Sequence, residues 1–324
     1  MGSTSISWTD ATWNPVRGCS RVSPGCDHCY AMHFAHRFSK PGKPYAGLTT
    51  IRKGVDWTGN ARFVPEMLSA PLRWRKPRRI FVNSMSDLFH PSITNEQIAA
   101  VFGVMAACPW HTFQVLTKRA ERMRQWFAWL DAQQTTVDFS PLTTVLDAGC
   151  RLSPDGARRP GVTEELRIAI RERCGWPLPN VWLGISAENQ KHADERWHHL
   201  SQVDAAVRFI SAEPLIAPLS IAGWATLPDW LIVGGESGPR ARAFDLAWAR
   251  SLRDQCKAAG TSFFMKQMGA RPIMIRLPEW HESGGSWSVP LCAEDGRWRV
   301  LTEDRAGADP AEWPEDLRVQ EFPR

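Results

Sequence analysis

Trp230-Leu231-Ile232-Val233, running straight into Gly234-Gly235-Glu236-Ser237-Gly238, is the stretch whose reading decides the fold. Four apolar residues without alternation describe a strand buried on both faces, which is the habit of parallel sheets. The same signature recurs at Arg79-Ile80-Phe81-Val82-Asn83, Thr112-Phe113-Gln114-Val115-Leu116, Val181-Trp182-Leu183-Gly184-Ile185, Val207-Arg208-Phe209-Ile210 and Ser262-Phe263-Phe264-Met265. Most of these starts recur at the interval of a βα unit. The gap from Thr112 to Val181 is too long for one unit and calls for an insertion at about 131–180. That insertion carries a loop-like stretch, Ser153-Pro154-Asp155-Gly156, and one amphipathic helix near Glu164 to Cys174. A strand near Thr12 to Val16 makes a seventh.

Helix signals lie between the strands. Thr94-Asn95-Glu96-Gln97 reads as a capping box opening a helix through Ala107. Asp245 caps a second helix with Trp248, Leu252 and Cys256 on one face, and Gly260 stops it. The expected class is α/β: a partial or complete (β/α) barrel of about six to seven parallel strands, with a doubly wound sheet as competitor. Residues 1–269 form the barrel core. From Ala270 to Arg324, Pro, Gly, Trp and acidic residues dominate, and this part is expected to be an extension packed on the core.

Composition narrows the possibilities. The chain has 324 residues, 43% hydrophobic and 23% charged, which excludes a disordered or fibrous protein. No run reaches the roughly 18 apolar residues of a membrane span, and the polar Met1-Gly2-Ser3-Thr4-Ser5 start is no signal peptide. A cytoplasmic setting without a membrane partner is therefore expected, where thiols stay reduced. The formal charge of +5 suits a nucleic-acid or nucleotide partner without demanding one.

Eight cysteines are present, and three cluster as Cys19-x6-Cys26-x2-Cys29 in a loop marked by Gly18, Pro24 and Gly25. Such crowding of thiols in a Gly/Pro loop is poor core design and points to a metal centre. Three thiolates hold a [4Fe–4S] cluster with one iron open to an outside ligand. Alternatively, His28 or His33 completes a tetrahedral zinc site. Cys108, Cys150, Cys174, Cys256 and Cys292 have no close cysteine neighbour and read as core or incidental residues.

A three-cysteine loop after the first strand of an α/β barrel resembles the radical S-adenosylmethionine (SAM) superfamily. More of the chain resembles a phage-associated three-cysteine-motif family of unassigned activity. That likeness rests on Trp8-Thr9-Asp10-Ala11-Thr12-Trp13-Asn14-Pro15, the cysteine loop with Tyr30-Ala31, Ser211-Ala212-Glu213-Pro214-Leu215, Gly234 to Gly238, and the tail from Asp309-Pro310-Ala311-Glu312-Trp313-Pro314 to Phe322-Pro323. The resemblance implies a cytoplasmic enzyme whose [4Fe–4S] cluster binds and reductively cleaves SAM to modify or repair a substrate. It also implies an external electron donor and a companion protein encoded alongside. Three features depart from the superfamily: the first cysteine gap is six residues rather than three, His28 stands where an aromatic residue is usual, and Gly-Gly-Glu follows a late strand rather than the second. A nucleic-acid base or nucleotide is the expected substrate. The competing expectations are a zinc- or cluster-stabilised nucleic-acid-binding protein without catalysis, and an iron–sulfur electron-transfer or sensor protein.

In a βα barrel the carboxyl ends of the strands build the site, and polar residues gather there. Ser84, Ser86 and Asp87 follow one strand, Thr117, Lys118 and Arg119 the next, and Ser186, Glu188 and Asn189 the one after. Glu213, Glu236 and Lys266 follow later strands. With the resemblance granted, Asp87 or Glu188 would bond the ribose of SAM, Glu213 or Glu236 its ammonium, and Lys118 with Arg119 an anion. His28 would stack or ligate, Ser84 would line the site, and Gly234-Gly235 would admit a ligand close to the backbone. Arg73-Trp74-Arg75-Lys76-Pro77-Arg78-Arg79, the densest basic run, precedes a strand and reads as a solvated face rather than a phosphate track.

Overall fold

The computed structural model describes residues 4–133, 140–153, 175–274, 291–294 and 297–323. The chain runs through β1 (Ala11–Trp13), β2 (Val16–Arg17), α1 (Tyr30–His36), β3 (Thr49–Ile51), β4 (Val55–Trp57), β5 (Arg62–Phe63), β6 (Arg79–Val82), α2 (Asn95–Ala106), β7 (Thr112–Thr117), α3 (Ala120–Ala132), α4 (Pro141–Leu152) and β8 (Val181–Ser186). It continues through α5 (Gln190–Leu200), β9 (Val207–Ala212), β10 (Trp230–Gly234), β11 (Phe244–Asp245), α6 (Leu246–Ala259), β12 (Ser262–Gln267), β13 (Pro272–Met274), β14 (Leu291–Glu294) and β15 (Arg297–Val300). Seven strands form one sheet in the order β1-β6-β7-β8-β9-β10-β12, so β1 and β12 are its edges and the sheet is open. Within it β1 pairs parallel with β6, β6 with β7, β7 with β8, β9 with β10 and β10 with β12.

The chain divides into two compact units. The first comprises Met1–Val22, Cys29–Ile185 and Arg196–Arg208; the second comprises Ser23–His28, Ser186–Glu195 and Phe209–Arg324.

In the first unit β1, β6, β7 and β8 lie side by side. The expected strand over Thr12 to Val16 is broken in two. Pro15 has no amide hydrogen to donate, so β1 pairs with β6 while β2 turns away to pair antiparallel with β5. The capping box forms as expected: the Gln97 amide donates to Thr94 Oγ1 at 3.3 Å, and Gln97 Oε1 accepts from the Thr94 amide at 3.1 Å. Every residue of α2 from Ile98 to Ala106 is buried, as suits a helix apolar all round. Its neighbour is α4, which occupies part of the expected insertion. The two meet at glycine: a Cβ on Gly103 would lie 2.1 Å from the Val145 carbonyl oxygen. Pro154, Asp155, Gly156 and the helix expected near Glu164 to Cys174 fall outside the described residues.

In the second unit β9, β10 and β12 are parallel, with a register shift between Val233 and Gly234. All five residues of β10 are buried, which is why its sequence does not alternate. Asp245 caps α6 through Oδ1 to the Ala247 amide at 2.9 Å, and Gly260 ends it at φ +71°. Leu252 and Cys256 are buried as expected, whereas Trp248 is half-buried. Four short strands form a second sheet in the order β11-β13-β15-β14. The C-terminal segment lies antiparallel along β12: the Met265 amide donates to Val319 O at 2.8 Å and the Glu321 amide to Phe263 O at 2.9 Å.

Candidate functional site

Parallel pairing brings the carboxyl ends of neighbouring strands to one edge of each unit, where polar side chains accumulate. In the first unit β6 is followed directly by Asn83, a buried residue at φ +60°. Asparagine tolerates this left-handed backbone better than most residues. Its Oδ1 accepts the Val16 amide at 3.2 Å, while its buried Nδ2 has no hydrogen-bond partner among the described residues. The Ser84 hydroxyl faces the Asn14 side-chain amide at 3.3 Å. Asp87 is buried and fully engaged. Its Oδ1 accepts from Thr117 Oγ1 at 2.8 Å and the Phe89 amide at 3.0 Å, and its Oδ2 accepts the Lys118 amide at 3.1 Å. Asp87 thus ties the ends of β6 and β7 together, and Lys118 meets it through the main chain.

The start of the cysteine loop is anchored to the same edge. Gly18 bridges Ser86, and Arg119 Nη2 donates to the Ser20 carbonyl at 3.1 Å and to Ser20 Oγ at 2.7 Å. His90 Nε2 lies 3.0 Å from Ser20 Oγ. Since His90 Nδ1 accepts the Ser92 amide at 3.2 Å, the neutral ring carries its proton on Nε2 and donates it to Ser20. Burial, then the Arg119 charge, hold the His90 pKa below its ordinary value against the opposing pull of Asp87. Ser20 therefore accepts two hydrogen bonds, and His90 keeps no lone pair to deprotonate it. The constellation is an anchor, not a nucleophile and base.

In the second unit Glu236, 5% exposed, follows β10. Its Oε2 accepts from the Arg242 amide at 2.9 Å, Arg242 Nε at 3.0 Å and His28 Nδ1 at 3.0 Å; its Oε1 accepts Arg242 Nη2 at 2.7 Å. Burial pushes the Glu236 pKa up, but the Arg242 hydrogen bonds and then His28 outweigh it, and the net shift is downward. The hydrogen bonds Arg242 donates to Glu236 are the main cause that raises the Arg242 pKa. His28 is thus placed on a carboxylate. Lys266 Nζ ion-pairs with Glu213 Oε1, and buried Glu188 lies 3.2 Å from His192 Nδ1. A Cβ on Gly234 would touch Gln267 Cγ at 3.3 Å and Glu213 Cγ at 3.4 Å. One on Gly235 would lie 2.3 Å from the Met268 carbonyl oxygen. Gly235 therefore allows the chain just after β12 to approach closely.

Cys19, Cys26 and Cys29 are thiols, not disulfides, and all are half-buried. Cys19 and Cys29 pack against an apolar cluster of Ala31, Met32, Ala35, Tyr45, Leu48, Trp57 and Met85. In number and softness the three donors fit an iron–sulfur cluster. As placed they are not yet a ligand group: among the described residues no three His, Cys, Asp or Glu side chains are arranged to hold a metal ion. His33 is half-buried on α1. Asn83, Ser20, His90 and Arg242 are not singled out by motif or spacing. Of these, only Asn83 carried a local signal: a polar residue closing an apolar strand.

Seven strands in one sheet, with buried polar groups following their carboxyl ends and a thiol loop following β2, define an α/β protein. The chain belongs to the family described as Protein of unknown function (DUF5131), whose model matches residues 3–287. No curated protein and no solved structure matches it. Among the described residues no helix is long and apolar enough to cross a membrane.

Proposed function

We propose that the chain is an iron–sulfur enzyme of the radical SAM type, acting on a nucleic-acid base or nucleotide with an external electron donor. Cys19, Cys26 and Cys29 would hold a [4Fe–4S] cluster, and SAM would lie along the strand ends. The observation that carries the reading is the set of three half-buried thiols, none in a disulfide, in one loop after the first strand of a parallel sheet. When bound, the cluster and SAM supply a reductively generated radical that takes hydrogen from carbon.

The chain's own residues bind and orient. Arg119 and His90 hold Ser20, and so fix the backbone next to Cys19. Asn83 Nδ2 offers an unused buried donor at the end of β6. Arg242 keeps Glu236 ionised, and His28 is steered by that carboxylate. A second reading, a metal-stapled nucleic-acid-binding protein without catalysis, is favoured by one observation: Asp87 and Glu236 already spend their oxygens on protein donors.

Anaerobic reconstitution with iron and sulfide tests both readings. The enzyme gives a visible absorption band that Cys26→Ala abolishes and Cys150→Ala retains. It also releases 5′-deoxyadenosine when SAM and dithionite are added. A colourless zinc protein, or a cluster protein that leaves SAM intact, overturns the enzyme.

A further inference from the structure

The third cysteine opens directly onto α1, and the outward face of that helix is unlike the rest of the surface. Ala31, Met32 and Ala35 are its buried positions. Tyr30, Phe34 and Phe38, spaced four apart, form an aromatic row outside, 54%, 47% and 41% exposed. The Phe34 and Phe38 rings stand 5.3 Å apart, and the Tyr30 hydroxyl is fixed to Ser84 O at 2.9 Å. The next row carries His33 and Arg37. Among the described residues, five of the eight large apolar side chains exposed to solvent are Val22, Tyr30, Phe34, Phe38 and Ile51.

The charge around this row has one sign. Arg37, Lys40 and Lys43 on and after α1, and Arg52 and Lys53 at the tip of the β3–β4 hairpin, are all exposed. The hairpin is packed on α1, where His36 Nδ1 meets Thr49 Oγ1 at 3.0 Å. From Cys29 to Asn60 the one acid is Asp56, and it is engaged by Arg21 at 2.9 Å. Exposed flat rings interleaved with unneutralised cations suit a ligand that has both π-faces and repeated negative charge. An acidic peptide offers the charge without regular rings, and duplex bases are not open to stacking.

We propose that α1 and the β3–β4 hairpin form a binding surface for single-stranded nucleic acid. Bases stack on Phe34 and Phe38, and Arg37, Lys40, Lys43, Arg52 and Lys53 follow the phosphates. The proposal deepens the substrate class given above. It rests on that reading only in making the bound strand the substrate, because binding itself needs neither cluster nor SAM.

Fluorescence anisotropy of the full chain with labelled single-stranded DNA and RNA of mixed sequence tests it, and the two arms identify the sugar. Wild type is expected to bind at low salt with a steep salt dependence. Phe34→Ala and Phe38→Ala should each weaken binding between about 5- and 150-fold, the range of one lost stacking ring. Lys40→Ala with Lys43→Ala should flatten the salt slope by roughly 0.7 per lost phosphate contact. Arg75→Ala with Lys76→Ala, in the exposed run before β6, should change nothing. All targets are exposed, and unchanged thermal melts establish that the variants fold. Two results overturn the proposal: no binding by wild type in either arm, or binding that the ring variants leave intact. Loss confined to the Arg75/Lys76 variant overturns it too. Binding that survives alongside failure to cleave SAM removes the enzyme reading and keeps this surface.

Discussion

Arg242 holds Glu236 in a two-pronged grip, Nε to Oε2 at 3.0 Å and Nη2 to Oε1 at 2.7 Å, and adds its own backbone amide at 2.9 Å. Removing the guanidinium leaves a buried carboxylate with His28 as its remaining side-chain partner. Arg242→Ala is expected to cost about 2 kcal/mol, below the fully buried case because the arginine is partly solvated. Urea unfolding at neutral pH measures the loss, and no loss there would refute the pair's role.

The same pair fixes a pH dependence. The Glu236 pKa is depressed below its ordinary 4.5. The stability it contributes is therefore complete above that value and fades as the pH falls through the lower folded value. Without Arg242, burial is left to raise the Glu236 pKa, so the gap between wild type and Arg242→Ala should be widest near neutral pH and shrink as acidification protonates Glu236, first in the variant and then in wild type. A gap that widens on acidification contradicts the assignment.

Gly103→Ala pits two effects against each other. Alanine in a helix interior gains about 1 kcal/mol over glycine. Here the new methyl would meet the Val145 carbonyl oxygen at 2.1 Å, a backbone atom of α4 that cannot swing aside. Overpacking of this kind costs about 1–3 kcal/mol, so the net effect should be destabilising. A raised melting temperature would mean that α2 and α4 do not meet at this glycine.

Thiol reactivity should divide the cysteines in two. Burial pushes Cys108 and Cys256 up to about 12, with Glu321 adding to the second. At pH 8 their thiolate fraction is on the order of one in ten thousand, and only the thiolate reacts. Iodoacetamide followed by peptide mass mapping should label Cys19, Cys26 and Cys29 in the metal-free protein and spare these two. For Cys108 and Cys256 the sign of linkage is opposite to that of Glu236: their stability contribution is complete below the ordinary thiol value of 9.0 and is lost as pH rises toward 12. Rapid labelling of Cys108 in folded protein would contradict its burial.

The strands were legible because burial on both faces writes itself as uninterrupted apolar sequence, as at Ile80-Phe81-Val82 and throughout β10. Thr94, Asp245 and Gly260 were legible because a cap is a local contract between residues a few positions apart. The polar edge was legible as a zone, but its wiring was not. Arg119 reaches Ser20 across 99 positions and His28 reaches Glu236 across 208, and no local pattern records such partners. Gly235 shows the same limit. Its neighbour, the Met268 carbonyl oxygen, lies 33 positions away and leaves no mark on the local sequence.

The segment from Val319 to Phe322 seals an edge that would otherwise be open. β12 is the last strand of the seven-stranded sheet, and this segment occupies its outer side. Trp230 Nε1 donates to Glu321 O at 2.8 Å, and the Phe322 ring lies 5.3 Å from Trp230 and 5.2 Å from Phe264. An uncovered apolar edge strand is a template for pairing with another chain. A chain ending at Arg318 should therefore shift to higher mass in light scattering and lose stability. Phe322→Ala removes the rings' contacts but keeps the backbone bonds. It should cost about 1–3 kcal/mol and leave the mass unchanged. If truncation alters neither mass nor melting temperature, the segment is not what protects β12.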